Sequence, residues 1–178
     1  FTDPLSYVWV KTRPAAGLHR EFLQPHQAGA QMSSRSSLKT SGFETFEHGA
    51  DVGIRGWGPS LGEAFAQGAR AMFSLMGENI GQVVPIRSVE IEVSSTDAEF
   101  LFLAWLNRLL AESDLHGLLF SHFAVAFPAQ GKLEATASGE AFAQVASDRG
   151  VEVKGATFTE LKVFEQDGTW FAQCVVDV

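Results

Sequence analysis

Hydrophobic and polar positions begin to alternate clearly between Phe46 and Trp57. Val52 and Ile54 fall on one face of an extended segment, whereas Asp51 and Arg55 fall on the other. Three glycines at positions 53, 56 and 58 indicate a bend or a close approach of another backbone. We therefore predict one extended segment, from Phe46 to Trp57, at the start of the folded part of the chain.

Two stretches with helical spacing follow. Ser60 and Glu63 have the spacing of a capping box, and an apolar stripe continues from there to Gly77. A second helix is predicted to begin at Thr96, with Glu99 as its capping partner. Its stretch FLFLAWLNRLLAE is apolar around most of the circumference, so this helix should be buried on more than one side.

The remaining runs are typical of strands. Asp167-Gly168 is a strong signal for a two-residue hairpin turn near the end of the chain. Helices inserted among hairpin-linked strands predict an α+β fold, with two helices packed on one face of a largely antiparallel β-sheet. The predicted strands are Ser88–Ser94, Gly117–Phe127, Leu133–Ser138, Glu160–Glu165 and Trp170–Val176.

Residues 1–42 are a different kind of sequence. Three prolines and the run Ser33-Ser34-Arg35-Ser36-Ser37 leave no stable period, which predicts a flexible leader. The chain does not begin with Met, and Met32 lies just before the serine-rich run. One hypothesis is that residues 1–31 are not native, and the alternative is a native flexible extension.

Charge and composition narrow the function classes. Residues 43–178 carry eight Lys or Arg and nineteen Asp or Glu, a net charge of -11. An acidic body of this kind repels phosphate backbones and disfavours direct binding of nucleic acid. No apolar run approaches the ~18 residues needed to cross a membrane. Cys174 is the only cysteine, which excludes an internal disulfide and agrees with a cytoplasmic location.

Most catalytic motifs are missing. The sequence has no GxxxxGK[ST] loop, no GxSxG elbow and no HExxH pair. What remains is a group of polar residues in apolar surroundings: His48, Asp51, Lys154 and Asp177, with Val178 after them. If the first and last strands are neighbours, Asp51, Asp177 and a terminal carboxylate on Val178 could share a hard divalent cation, because carboxylates brought together repel unless a cation lies between them.

Each of these residues also has an ordinary structural interpretation. An Asp at the start of a strand is usually a solvated turn residue, and a lone His is more often structural than a ligand. A Lys such as Lys154 most often packs its stem along apolar neighbours and exposes its ammonium group. From the residues alone, these interpretations carry more weight than a metal site.

The same stretches resemble one protein family. FEHGADVGIRGWG followed by LGEAFAQGARAMFSLM is similar to the opening of the archease family. AEFLFLAWLNRLLAESDLHGLLFSHF resembles its central part, and GEAF, VEVKGATFTEL and WFAQCVVDV resemble its last third. The resemblance covers about residues 43–178, which we predict to be an archease domain.

This resemblance implies a function. Archeases are accessory proteins of the RtcB-type RNA ligase, which joins RNA ends in tRNA splicing and RNA repair. They promote guanylylation of the ligase and thereby allow multiple turnovers. The resemblance also implies a divalent metal site, with Ca²⁺ favoured over Mg²⁺ or Mn²⁺, at Asp51, Asp177 and Val178. His48 and Lys154 match family positions and are carried as candidates for partner contact or ligand support.

One segment departs from the family pattern. The family's VKAxTYH reads VKGATFT here, so Gly155, Phe158 and Thr159 replace Ala, Tyr and His. A hydroxyl and an imidazole are therefore missing from this segment.

The sequence thus favours an activator with no catalysis of its own, which would reach RNA only through the ligase. The first alternative is a metal-dependent phosphoester or nucleotide hydrolase that uses the same carboxylates. The second is a general folding assistant, which should expose a broad apolar patch.

Overall fold

The computed structural model describes residues 40–77, 79–145 and 150–178. The predicted leader lies outside the described residues, apart from its last three positions. The described chain forms eight strands and two α-helices, with a short 3₁₀-helix at Ile80–Gln82. In chain order these are β1 (Gly42–His48), β2 (Asp51–Gly58), α1 (Leu61–Met76), β3 (Arg87–Ser94), α2 (Ala98–His116), β4 (Leu118–Ala129), β5 (Lys132–Ala141), β6 (Gly155–Ala156), β7 (Lys162–Gln166) and β8 (Thr169–Asp177).

The strands form two antiparallel sheets. The larger sheet has the order β1-β2-β8-β6, with β7 also paired to β8, and the smaller sheet has the order β3-β5-β4. Every strand pair among the described residues is antiparallel. The predicted α+β fold is therefore confirmed, while the predicted strands divide between two sheets.

Both helices contribute to one core. Helix α1 contacts β2 and β8 of the larger sheet and β4 of the smaller sheet, and α2 contacts strands of both sheets. Phe65 of α1 packs edge-to-face on Phe102 of α2, with ring centroids 4.9 Å apart. Helix α2 buries seven large apolar side chains, as its sequence predicts: Leu101, Phe102, Leu103, Trp105, Leu106, Leu109 and Leu110.

The predicted strand from Phe46 to Trp57 is wrong in one respect, because the chain turns back within it. Gly49 has φ +66°, and the hairpin formed by β1 and β2 pairs His48 with Asp51. Glycine adopts this left-handed conformation without a steric penalty, so Gly49-Ala50 can form the turn. His48 therefore ends one strand, and Asp51 begins the next.

The glycines of β2 are explained by close packing. A Cβ atom on Gly56 would lie 2.1 Å from the backbone nitrogen of Gly68 in α1. The strand and the helix can approach this closely only because Gly56 carries no side chain. This contact holds α1 against the strand that begins with Asp51.

The start of α2 corrects a second prediction. Asp97, not Thr96, is the N-cap, because its Oδ1 accepts a hydrogen bond of 2.9 Å from Phe100 N. An N-cap side chain accepts a hydrogen bond from the amide two or three residues ahead. The N-cap of α2 lies one residue later than predicted, so the acceptor is Asp97 and not Thr96. The Ser60 cap of α1 is confirmed, since Ser60 Oγ accepts from Glu63 N at 3.2 Å.

The predicted terminal hairpin is confirmed. Asp167 and Gly168 have φ values of +51° and +71°, as a two-residue turn with left-handed backbone requires. The turn sends β8 back between β2 and β6. The end of β8 therefore lies beside the start of β2 and beside β6.

No helix among the described residues is long and apolar enough to cross a membrane.

Candidate metal centre at the end of the central strand

Strand pairing brings the two carboxylates of the predicted metal site to one end of the larger sheet. Strands β2 and β8 are antiparallel, and Val52 pairs with Val176. Asp51 directly precedes Val52 and Asp177 directly follows Val176, so the two aspartates lie at the same end of the paired strands. The two carboxylates lie 126 positions apart along the chain, and their convergence is a result of the fold. Their role as ligands stays a prediction.

His48 joins this end of the sheet through the first hairpin. It pairs with Asp51 across β1 and β2 and is half-buried. Asp51 is also half-buried, whereas Asp177 is exposed. The strand order β1-β2-β8 therefore places His48, Asp51 and Asp177 on three adjacent strands.

Lys154 reaches the same end from the segment before β6. Its Nζ donates to the main-chain oxygen of Val178 at 2.9 Å and lies 3.9 Å from Oδ1 of Asp177. Its backbone nitrogen also donates to the main-chain oxygen of Asp177 at 2.8 Å. The ammonium group thus contacts two oxygen donors of the predicted metal site.

The donor chemistry fits a hard cation. The predicted ligands are oxygens: two side-chain carboxylates and the oxygen of Val178. Ca²⁺ and Mg²⁺ prefer such donors and complete their coordination with water. No group of three His, Cys, Asp or Glu side chains suited to a metal occurs in the described part of the chain. A site here would therefore depend on main-chain oxygen and water as well as on carboxylates.

An asparagine that the sequence analysis missed holds the neighbouring segment. Asn107 of α2 accepts from Ala156 N at 3.0 Å and donates to Ala156 O at 3.2 Å. Because both polar groups of Ala156 bond one side chain, β6 is fixed between α2 and β8. A signal was present in the sequence, since Asn107 is a lone amide within an apolar helix.

Cys174 lies in β8 but supplies no reactive thiol. It is fully buried opposite Ile54 of β2. Burial raises the pKa of the Cys174 thiol from its ordinary value of 9.0 to about 12, partly offset by a backbone hydrogen bond involving Thr157. At neutral pH the thiol is protonated and therefore a poor nucleophile.

Comparison with known proteins agrees with this architecture. Residues 43–178 match the Archease protein family (MTH1598/TM1083). The chain belongs to the archease family.

Archeases of several archaea are similar along most of the chain. The protein archease of Pyrococcus abyssi is 38% identical over 140 residues, which cover 76% of this chain and 98% of that protein. The protein archease of Thermococcus kodakarensis is 36% identical over 140 residues, with the same coverage of both chains. This archease therefore matches nearly the whole length of those relatives.

Solved structures show the same fold. The solution structure of protein 1598 from Methanobacterium thermoautotrophicum aligns with a TM-score of 0.68 at 33% identity, covering 77% of this chain and 99% of that one. An archease from Thermotoga maritima, described as a possible chaperone, aligns with a TM-score of 0.52 at 19% identity, covering 76% and 96%. The second similarity concerns the fold alone.

Proposed function

We propose that this archease activates an RtcB-type RNA ligase by promoting guanylylation of the ligase, and that it thereby supports multiple turnovers in tRNA splicing and RNA repair. Membership of the archease family supports the proposal. The observation that carries it is the pairing of β2 with β8, which brings Asp51 and Asp177 to one end of the larger sheet, where Lys154 Nζ lies 3.9 Å from Asp177 Oδ1.

Asp51, Asp177 and the oxygen of Val178 are the residues that would hold a divalent cation at this edge. When bound, the cation would supply concentrated positive charge that neutralises the carboxylates and attracts anionic groups of a partner's nucleotide pocket. The strand ends hold the two carboxylates at fixed positions, because both strands are paired on either side within the sheet.

The activator would act by binding one conformation of the ligase better than another. A bound protein shifts a conformational equilibrium only by its difference in affinity for the two states. The acidic edge would favour the state in which the ligase accepts GMP from GTP. This role requires no nucleophile on the archease.

The test follows transfer of labelled GMP to the purified ligase, with and without the archease. We expect the intact archease to accelerate the transfer, and Asp51→Asn and Asp177→Asn each to reduce that acceleration about tenfold or more. Asp167→Asn is the matched control, because it removes an exposed carboxylate at the other end of β8 and asparagine tolerates a positive φ. Equal activity of all four proteins would contradict the proposal.

Cation binding is tested separately by calorimetric titration of the archease with Ca²⁺, Mg²⁺ and Mn²⁺. We expect one site that is weakened by Asp51→Asn and by Asp177→Asn and unchanged by Asp167→Asn. The same three variants should retain the thermal unfolding midpoint of the parent protein without added metal. A site unaffected by either substitution at Asp51 or Asp177 would place the ion elsewhere.

The same samples distinguish the alternatives. Hydrolysis of a nucleotide or phosphoester by the archease alone, lost in Asp51→Asn, would favour the hydrolase. Protection of many unrelated unfolded proteins from aggregation would favour the folding assistant. Binding of RNA by the archease in the absence of the ligase would contradict the expectation that the archease reaches RNA only through the ligase.

A further inference from the structure

Two exposed aromatic rings contact each other, one on the segment between β6 and β7 and one in the first turn of α2. Phe158 is 65% exposed and Phe100 is 46% exposed, and their ring centroids are 5.6 Å apart in an edge-to-face arrangement. Among the large exposed apolar side chains of the described residues, Phe100 and Phe158 are the two whose rings contact each other. Exposed aromatic pairs are uncommon because they lose the free energy of burial.

The segment that carries Phe158 is rigidly held. Thr157 and Thr159 each bond the backbone of Val175 in β8, through Thr157 N to Val175 O at 3.0 Å and Val175 N to Thr159 O at 2.9 Å. Gln173 Nε2 donates to Glu160 O at 3.2 Å, where Glu160 adopts a φ of +53°. Phe158 is therefore presented to solvent by a loop whose backbone is bonded on both sides of it.

Helix α2 fixes the second ring relative to the first. Phe100 lies in the first turn of α2, and Asn107 of the same helix bonds both polar groups of Ala156. This connection holds α2 and the segment around Phe158 in one arrangement. Fixing both rings before binding lowers the entropy cost of association.

One short segment connects the candidate metal centre with Phe158. Gly155 pairs with Asp177 and Ala156 pairs with Val176, so the segment from Lys154 to Phe158 runs beside the end of β8. At ~3.3 Å per extended residue, Phe158 lies within roughly 13 Å of Lys154 along this segment. A protein that binds at the carboxylates and extends this far along the segment would also meet Phe158.

We propose that Phe100 and Phe158 are the apolar anchor by which this archease docks onto its partner ligase, an inference that rests on the proposed function. The matching surface of the partner is an apolar pocket bordered by Lys or Arg side chains. Glu99 lies beside Phe100, and the body of residues 43–178 has a net charge of -11, so a basic border is the complement of this surface. Buried aromatic side chains commonly dominate the binding energy of an interface.

The test measures the affinity of the purified full-length archease for its immobilised ligase. We expect Phe100→Ala and Phe158→Ala each to weaken binding about tenfold or more. Phe158→Tyr keeps the ring and should stay within about twofold of the parent protein. Leu115→Ala is the matched control, because Leu115 is 74% exposed on the same helix and about 22 Å further along it. Unchanged affinity of Phe100→Ala and Phe158→Ala would overturn the inference.

Two further measurements make the outcome independent of folding and of the activation proposal. A photoreactive benzoylphenylalanine in place of Phe158 should crosslink to the ligase, and the same group in place of Leu115 should not. Sedimentation of the archease alone should show no self-association that depends on Phe158. Self-association that Phe158→Ala abolishes would mean that the rings bind a second copy of the archease, and it would overturn the inference. Binding without accelerated guanylylation would contradict the proposed function alone, whereas acceleration with ring-independent binding would contradict the inference alone.

Discussion

At the scale of single residues, the ammonium group of Lys154 would compete with a cation for the oxygens of the candidate centre. Its ammonium group contacts the oxygen of Val178 and lies near Asp177. A divalent ion at these oxygens must share them with the ammonium group or displace it. Lys154 is 59% exposed, so its side chain is free to move into solvent.

We expect Lys154→Met to bind Ca²⁺ about threefold to tenfold more tightly than the parent protein, because the substitution removes an exposed competing charge. Lys162→Met is the matched control, since Lys162 is also 59% exposed and pairs with Glu160 at 3.3 Å, away from the centre. Calorimetric titration measures both affinities. Weaker binding in Lys154→Met alone would show instead that the ammonium group supports the site.

The raised pKa of the Cys174 thiol makes the stability of the fold depend on pH. Its pKa is about 12 in the folded protein against an ordinary value of 9.0, so the folded state retains the thiol proton to higher pH than the unfolded state does. The stabilisation is complete below about pH 9 and is lost as pH rises toward 12.

Between these pH values, the free energy of unfolding of the parent protein should fall more steeply with pH than that of Cys174→Ala, by up to about 1.4 kcal/mol per unit. Denaturant unfolding of both proteins over this range measures the difference in slope. A constant cavity penalty in Cys174→Ala shifts the curve without changing this slope. Parallel curves for the two proteins would contradict the expected proton retention.

At the scale of elements, the N-cap of α2 is Asp97, and the adjacent Thr96 does not share this role. Asp97 supplies the cap, while Thr96 Oγ1 only donates weakly to Asp97 Oδ2 at 3.4 Å. We expect Asp97→Ala to lower the free energy of unfolding by about 1 kcal/mol. Thr96→Ala should change it by less than about 0.5 kcal/mol. Denaturant unfolding compares the two, and the reverse order of effects would show that Thr96 is the cap.

The elements that the sequence predicted well are those with local signals. Ser60 caps α1 and Asp167-Gly168 turns the last hairpin, because each of these structures depends on residues two or three positions apart. The first hairpin was missed, since Gly49-Ala50 carries a weaker turn signal than an Asp-Gly pair. Strand β6 was missed because a two-residue strand has no period to detect.

At the scale of the whole molecule, charge should control how fast the partner is found. The acidic body of residues 43–178 produces a long-range field that attracts a basic surface and is screened by salt.

We expect the association rate with the ligase to fall about tenfold between low and high salt, while the dissociation rate changes much less. Stopped-flow or surface-binding kinetics over a series of NaCl concentrations measure both rates. An association rate that does not depend on salt would show that the acidic body does not steer the encounter.

The amino-acid sequence by itself determined the class of fold, the two helices, the last hairpin and the residue types of the candidate centre, because these depend on local periodicity, turn chemistry and recognisable segments. The tertiary structure alone decided that Asp51 and Asp177 lie at one end of the larger sheet, that Lys154 contacts that end of β8, that Asn107 bonds Ala156, and that Phe158 contacts Phe100. These relations join residues that are distant in the chain. They follow from strand order and register, which are set by how the whole core packs and not by any local stretch.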